Sequence, residues 1–226
     1  MELSELAIQR LLDLSHSRAG DMMAALTYPW ECLPKIKEFI IFLSEHLPKD
    51  EFDEPIPGVF IARDAKVAAS ASIAGPAIFD HDTEVRHCAF IRGSALVGRG
   101  CVVGNSTELK NVILFDGVQV PHYNYVGDSI LGYKAHMGAG AITSNVRGDH
   151  GMVSVHTEGA AGCIETGLRK FGAILGDFAE IGCNAVLNPG VIIGRHSRVY
   201  PTANARGVTP ERHIYKDNQQ VVPIRK

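Results

Sequence analysis

The stretch that decides the fold runs from Ile61 to Phe115 and divides into blocks of six: IARDAK VAASAS IAGPAI FDHDTE VRHCAF IRGSAL VGRGCV VGNSTE LKNVIL F. Every block begins with an aliphatic or aromatic residue, and its fifth residue is nearly always small. A period of six is neither the 3.6-residue period of an α-helix nor the alternation of a long strand. It suits very short strands joined by tight corners, with the large residue inside and the small one at the corner. The pattern predicts a β-solenoid.

If three blocks make one coil, residues 18 apart stack at the strand spacing of about 4.8 Å. Stacking of this kind gives a core in which every coil buries its neighbour. The spacing itself leaves the handedness of the coil open. The period returns at Leu131 and Met137 and again from Leu175 to Val199. The predicted ladders are apolar throughout: Ile61/Phe79/Val97/Phe115, Val67/Val85/Val103 and Ile73/Ile91/Leu109.

The composition of the chain excludes several classes of function. The chain has 226 residues, 46% of them hydrophobic, and a formal charge of -3, so we expect no non-specific binding of nucleic acid or anionic membranes. We see no apolar run long enough to cross a bilayer and no basic leader at the start. Five widely spaced cysteines without a C-x-x-C pair are typical of reduced thiols in the cytoplasm, not of a disulfide framework or zinc knuckle.

The period also divides the chain. Helical spacing of apolar residues followed by an acidic, Pro-rich linker predicts a helical N-terminal segment over residues 1–57, which we expect to cap the first coil. Residues 58–205 form the predicted β-helix, with an inserted loop over residues 144–170. Residues 206–226 form a basic C-terminal tail that we expect to be solvated.

Two cations form the first candidate site. Arg92 and Lys110 each follow a predicted core residue and occupy equivalent positions in successive predicted coils, so they should project side by side. Two cations on neighbouring coils repel each other unless an anion such as a phosphate lies between them. The alternative is that Glu108 neutralises the pair as ordinary surface salt bridges.

Two further features interrupt the repeat. The period slips between Pro121 and Leu131, and His122 lies there with a side chain suited to general-base catalysis near neutral pH, although a lone histidine is more often structural. The interruption from Ser144 to Lys170 is long enough for a lid or binding loop, or for a surface insertion that covers a neighbouring subunit. Asn145 lies at the start of this interruption, where the side-chain amide could contact substrate.

Three motifs, N-x-x-E-x-K from Asn105, H-x-x-Y-x-G-D from His122 and G-A-G-x-I-T-x-N ending at Asn145, carry a resemblance to a known family. The chain resembles the hexapeptide-repeat acyltransferases. It is most similar to the acetyltransferase domain of the bifunctional N-acetylglucosamine-1-phosphate uridyltransferases and to archaeal sugar-1-phosphate relatives. The resemblance implies a left-handed parallel β-helix, a homotrimer with active sites between subunits, and direct transfer of an acetyl group from acetyl-CoA to an amino-sugar phosphate.

The resemblance also implies residue roles. His122 would be the general base, and Asn145 would help to hold the reacting groups. The substrate-binding residues would be Arg92, Glu108, Lys110, Tyr125 and His136, while Ala139 and Gly140 would contact the pantetheine of acetyl-CoA.

The chain departs from the family pattern at His136, where the bacterial enzymes have Asn, and at Val146, where they have Tyr. The sugar contacts are therefore expected to differ. The N-terminal segment does not resemble a uridyltransferase domain, so we expect no nucleotide-sugar synthesis. Two rival functions stay open: a non-catalytic trimer that binds sugar phosphates, and a γ-carbonic-anhydrase-like metal enzyme. The rival metal enzyme would use histidines such as His81, His87, His122 and His136, but its ligand spacing is absent and we predict no metal site.

Overall fold

The computed structural model describes residues 3–157, 162–217 and 220–225, and these confirm the predicted parallel β-helix. Successive short strands turn through three faces and stack in parallel on strands of the coils above and below. Face 1 contains β2 (Val59–Ala62), β5 (Ala77–Phe79), β8 (Ala95–Val97), the second half of β10 (Glu108–Leu114) and of β12 (Tyr125–Leu131), β17 (Ala173–Leu175), β20 (Val191–Ile193) and β23 (Val208–Thr209).

Face 2 contains β3 (Lys66–Val67), β6 (Glu84–Val85), β9 (Val102–Asn105), β11 (Gln119–His122), β13 (His136–Met137), β18 (Glu180–Ile181), β21 (Arg198–Val199) and β24 (His213–Tyr215). Face 3 contains β4 (Ser72–Ile73), β7 (Phe90–Ile91), the first half of β10 and of β12, β14 (Ile142–Thr143), β19 (Val186–Leu187) and β22 (Asn204–Ala205). The inward side chains of the three faces form one continuous apolar core.

The register confirms most of the predicted ladders. Ile61 pairs with Phe79, and Phe79 pairs with Val97, each step being one full coil of three blocks. The predicted last step of that ladder is wrong, because Val97 pairs with Leu114 and not with Phe115. The corner between face 3 and face 1 is one residue shorter in this coil, and Phe115 is buried one position further on.

The same shortened corner recurs one coil later, where Val126 and Leu131 pair with Leu109 and Leu114. We call this edge of the prism the 3/1 corner; in these two coils it holds residues 110–113 and 127–130. The slip in the repeat predicted between Pro121 and Leu131 therefore lies after Val126, beyond His122. The coil before it contains a first shortened corner, which the sequence pattern does not reveal because Phe115 is apolar and continues the six-residue count.

The N-terminal helices do not cap the first coil as expected, but lie along face 1. The outward residues of face 1 are nearly all aliphatic, so a face left bare would expose a long apolar stripe. Helix α3 (Ile36–Ser44) packs against β5, β8 and β10, and the 3-10 turn before it (Pro29–Lys35) packs against β12. The helices are α1 (Ile8–Leu11), α2 (Gly20–Ala24) and α3 (Ile36–Ser44), with 3-10 turns at Leu3–Leu6, Leu14–His16 and Pro29–Lys35. The buried outward residues are Ile78, Leu96, Ile113, Ile130, Ile174 and Ile192.

The inserted stretch leaves the coil after β14 and returns at β17. It contains an antiparallel hairpin of β15 (Val153–His156) and β16 (Cys163–Leu168). Strand β15 passes so close to Gly190 and Gly207 that a Cβ atom at either glycine would lie within 3 Å of its backbone carbonyl oxygens. The absence of side chains there lets the hairpin press against the upper coils.

The two ends of the helix differ from the expected boundaries. β1 (Phe52–Ile56) lies in the expected linker and pairs antiparallel with β2. At the other end the coil continues beyond residue 205 through β23 and β24, and β25 (Val221–Pro223) closes it by antiparallel pairing with β24. Much of the expected tail is therefore part of the fold. No helix in the described ranges is long and apolar enough to span a membrane.

Candidate active site

The three sequence motifs lie on three consecutive coils in one register. Asn105 of the first motif pairs with His122 of the second, and Glu108 pairs with Tyr125. Tyr125 in turn pairs with Ile142 of the third motif. The motifs are therefore stacked on one another across face 3 and its two edges.

Arg92 and Lys110 lie side by side on adjacent coils at the 3/1 corner, as their spacing predicts, since Ile91 pairs with Leu109. Each cation has its own carboxylate. The Arg92 guanidinium donates to Glu108 at 2.8 Å, and this pair is exposed. The Lys110 ammonium donates to both oxygens of Asp128 at 2.9 and 3.0 Å. Glu108 therefore neutralises only one of the two cations.

Asp128 is the centre of this corner, and sequence reasoning gave it no role. Its carboxylate also accepts hydrogen bonds from the Nδ2 atoms of Asn111, at 2.9 Å, and Asn145, at 2.5 Å. Its backbone has a φ of +47°, and only 3% of the residue is exposed. The signal that could have found it is the five-residue step from Val126 to Leu131, which marks the corner where the repeat is broken.

Tyr125 points outward from face 3 beside this cluster. Burial raises the pKa of its hydroxyl, and the charges of Asp128 and Glu108 raise it further. The nearby Asn145 side chain opposes part of this rise in the pKa of Tyr125. Arg92, Glu108, Lys110, Tyr125 and Asn145 are thus brought together at or next to the 3/1 corner.

His122 lies at the opposite edge of face 3, which we call the 2/3 corner; it holds residues 104–107, 121–124 and 138–141 in successive coils. Its backbone is fixed from both sides, because its N–H donates to buried Asn124 and its carbonyl accepts from Gly140. Gly104 below has no room for a side chain, since Pro121 of the next coil lies against it. The imidazole itself is exposed.

Ala139 and Gly140 lie directly above His122 on the 2/3 corner. Gly140 has a φ of +70°, and a Cβ there would meet both Asn184 and the ring of Tyr123. The structure therefore groups the expected base with the expected acetyl-CoA contacts. These residues are separated from the 3/1 corner by the width of face 3.

The separation follows from the register. His122 pairs with Asn105, which lies five residues before Lys110, so at most about 17 Å of extended chain separates the two corners. The surface between them is largely apolar. Its outward ladder contains Phe90, Glu108, Tyr125, Ile142, Val186 and Asn204.

His136 is not brought to either corner. It points outward from face 2, where its Nδ1 atom lies 2.8 Å from Glu180. The other histidines considered for a metal are also apart: His81 lies between Asp64 and Glu51, and His87 contacts Ser70. Among residues 3–157, 162–217 and 220–225, no group of three or more His, Cys, Asp or Glu side chains is arranged to hold a metal.

An open groove continues the 3/1 corner upward, between the inserted stretch and the coils that carry Asn188 and Arg206. Arg147 on its wall is paired with Asp149. Arg206 is exposed, and in the part of the chain that the structure describes no carboxylate pairs with it. The groove thus carries a cation that is available to an anionic ligand.

Known proteins are similar to this chain over the repeats. Residues 73–161 match the family model of the GMPPB C-terminal domain. A bifunctional sugar-1-phosphate nucleotidylyltransferase/acetyltransferase of Sulfurisphaera tokodaii is 32% identical over 178 residues, which cover 77% of this chain and 44% of that protein. The bifunctional protein GlmU of Methanococcus maripaludis is 36% identical over 137 residues, covering 59% of this chain and 32% of that protein.

The chain therefore spans less than half the length of these two curated relatives. Among solved structures, the acetyltransferase domain of PglB from Neisseria gonorrhoeae is 18% identical, with a TM-score of 0.39, over 84% of this chain and 65% of that one. The six-residue repeat and the three-faced coil make this chain a parallel β-helix of hexapeptide repeats, and over these repeats it is similar in sequence to a bifunctional sugar-1-phosphate nucleotidylyltransferase/acetyltransferase.

Proposed function

We propose that this protein is an acetyl-CoA-dependent N-acetyltransferase that acts on an amino-sugar-1-phosphate, and that it works as a homotrimer in the cytoplasm. The observation that carries the proposal is the stacking of the three motifs on consecutive coils, with His122 at one edge of face 3 and Lys110 at the other. The name of the Sulfurisphaera tokodaii relative, a bifunctional sugar-1-phosphate nucleotidylyltransferase/acetyltransferase, supports the same substrate class.

The proposed reaction is a direct transfer. The nitrogen of the amino sugar attacks the thioester carbonyl, a C–N bond forms, and the C–S bond breaks. His122 accepts the proton that the nitrogen loses and returns it to the departing thiolate, so the products are an amide and a free thiol. Arg92, with Tyr125 and Asn145 beside it, would hold the sugar phosphate and so orient the amine.

The trimer completes the site in this proposal. His122 and Lys110 lie on opposite edges of face 3 within one chain, and the apolar surface between them suits burial against a second copy. Threefold packing would bring the 2/3 corner of one subunit to the 3/1 corner of its neighbour. The groove with Arg206 would then take the phosphorylated end of acetyl-CoA.

The test is the release of free thiol from acetyl-CoA with glucosamine-1-phosphate, galactosamine-1-phosphate and unphosphorylated amino sugars. We expect turnover with at least one of the phosphates, and we expect His122→Ala to lower kcat by about 10²–10⁴-fold, the usual contribution of a general base. His87→Ala is the matched control, because His87 lies on the same edge two coils below.

An unchanged kcat in the His122→Ala protein would remove His122 from the mechanism. Binding of the sugar phosphates without any thiol release would favour the non-catalytic sensor. Both variants should be compared by circular dichroism and by mass in solution, so that a loss of fold or assembly is not taken for a loss of chemistry.

A further inference from the structure

We infer that Asp128 is a positioning residue of this site, which holds Lys110 and Asn145 in place and keeps Lys110 from binding simple phosphate anions. The inference rests on the proposed function for the identity of the substrate, but the geometry on which it depends belongs to the described residues alone. Asp128 is the last residue of the H-x-x-Y-x-G-D motif, but the motif by itself assigns it no role.

The contacts are those of a built carboxylate site. Asp128 receives hydrogen bonds from Lys110 and Asn111, which are neighbours in β10, and from Asn145 at the start of the inserted stretch. Its backbone carbonyl also accepts the N–H of Gly172, where the inserted stretch rejoins the coil. A buried carboxylate is stable only when it is paired and hydrogen bonded, so this arrangement has one strongly preferred geometry.

The charge of Asp128 has a consequence for anions. A phosphate close enough to contact Lys110 would lie near a fixed carboxylate, and the repulsion would offset much of the attraction to the ammonium. The Arg92–Glu108 pair is different. Its side chains are 48% and 31% exposed, so Glu108 can swing into water at little cost and release Arg92.

This difference predicts selectivity. Inorganic phosphate interacts with the site mainly through its charge. Arg92 is the cation that its partner carboxylate can release, and one cation binds phosphate weakly. A sugar phosphate also offers hydroxyl groups to the Asn145 amide, which Asp128 orients, and to the Tyr125 hydroxyl. The site would therefore discriminate an organic phosphate from the inorganic phosphate of the cell.

Two substitutions test this with little damage to the backbone. Asn and Gly tolerate a φ of +47° better than other residues, so Asp128→Asn and Asp128→Gly both suit the corner. The probe is inorganic phosphate, titrated into the full-length protein by calorimetry. We expect both variants to bind phosphate about tenfold or more tightly than the wild type, because Lys110 loses its counter-charge.

The double variant Asp128→Asn/Lys110→Met should lose this gain. Phosphate affinity that stays at the wild-type value in both single variants would overturn the inference, and so would a gain that survives Lys110→Met. This titration needs no turnover, so it also decides the inference if the proposed reaction is not observed.

Steady-state kinetics with the sugar phosphate provide the second measurement. Asp128→Gly removes the oxygen that accepts the Asn145 hydrogen bond, so Asn145 is released and kcat should fall. KM for the sugar phosphate should not rise, because Lys110 becomes a stronger anion ligand. A merely structural role would instead lower the folded fraction and leave both parameters of the folded enzyme unchanged.

Discussion

Asn111 and Asp128 hold left-handed backbone conformations, with φ of +55° and +47°, that cost energy for most residues with a side chain. Asn and Asp tolerate this region best, and here each side chain gains hydrogen bonds in return. Asn111 donates to Asp128 and to the carbonyl of Leu33 in the N-terminal segment. The residues at the two shortened corners therefore connect the candidate site to the helical segment.

A histidine away from the site gives a pH prediction at the same scale. His81 donates from Nδ1 to Asp64 and from Nε2 to Glu51, both at 3.0 Å, which requires the protonated ring. Partial burial opposes the charged form, but these two bonds outweigh it and raise the pKa of His81.

Because the folded-state pKa lies above the unfolded value of about 6.5, the stabilising effect is complete below that pH and is lost as pH rises through the folded-state pKa. We expect the free energy of unfolding, measured by denaturant titration, to decrease as pH rises above about 6.5. His81→Gln should remove this contribution. An equal slope in the variant and the wild type would contradict it.

The helix on face 1 shows how one element completes another. The repeats supply an outward row of aliphatic side chains, and α3 turns Ile36 and Ile40 onto it while Ile41 and Phe42 face away. Covering face 1 removes one of three possible surfaces for assembly. The helical segment thus decides which faces are left for partners.

The contribution of α3 can be measured with two adjacent residues. Ile40 is fully buried and Ile41 is 46% exposed. Ile40→Ala should lower the free energy of unfolding by about 2–5 kcal/mol, because it leaves a cavity against face 1. Ile41→Ala should change it by less than about 0.5 kcal/mol. Equal effects in chemical denaturation would show that α3 does not pack on the coil in solution.

At the scale of the whole molecule, the three faces have different surfaces. Face 1 is covered by helices, and several outward positions of face 2 are charged, including Lys66, Glu84, Glu180 and Arg198. Face 3 presents Phe90, Tyr125, Ile142 and Val186. Its apolar character makes face 3 the surface we expect to meet a second copy in the proposed trimer.

A pair of matched substitutions tests this assignment. Ile142 on face 3 and Val102 on face 2 are both outward, partly buried aliphatic residues. Ile142→Lys should dissociate the trimer and abolish turnover, since it buries an unpaired charge. Val102→Lys should leave both unchanged. Mass in solution, measured by light scattering, decides between these outcomes, and dissociation by Val102→Lys alone would move the interface to face 2.

The sequence by itself determined the solenoid, most of its core ladders and the adjacency of Arg92 and Lys110. A six-residue repeat places each residue in an environment set by near neighbours and by the next coil, so local pattern and tertiary contact agree. It also indicated that the chain departs from the repeat near Asn145.

The sequence located a slip between Pro121 and Leu131, but only the tertiary structure showed that the coil before it is also one residue shorter, because apolar Phe115 continues the count past a corner that has lost a residue. The two shortened corners place Asp128 against Lys110, Asn111 and Asn145, a contact that no spacing shows. The tertiary structure also places His136 on face 2 and the N-terminal helices along face 1. The positions of His136 and of the helices depend on which surfaces of the coil are covered once it has formed. The covered surfaces are a property of the folded molecule and not of any local stretch of sequence.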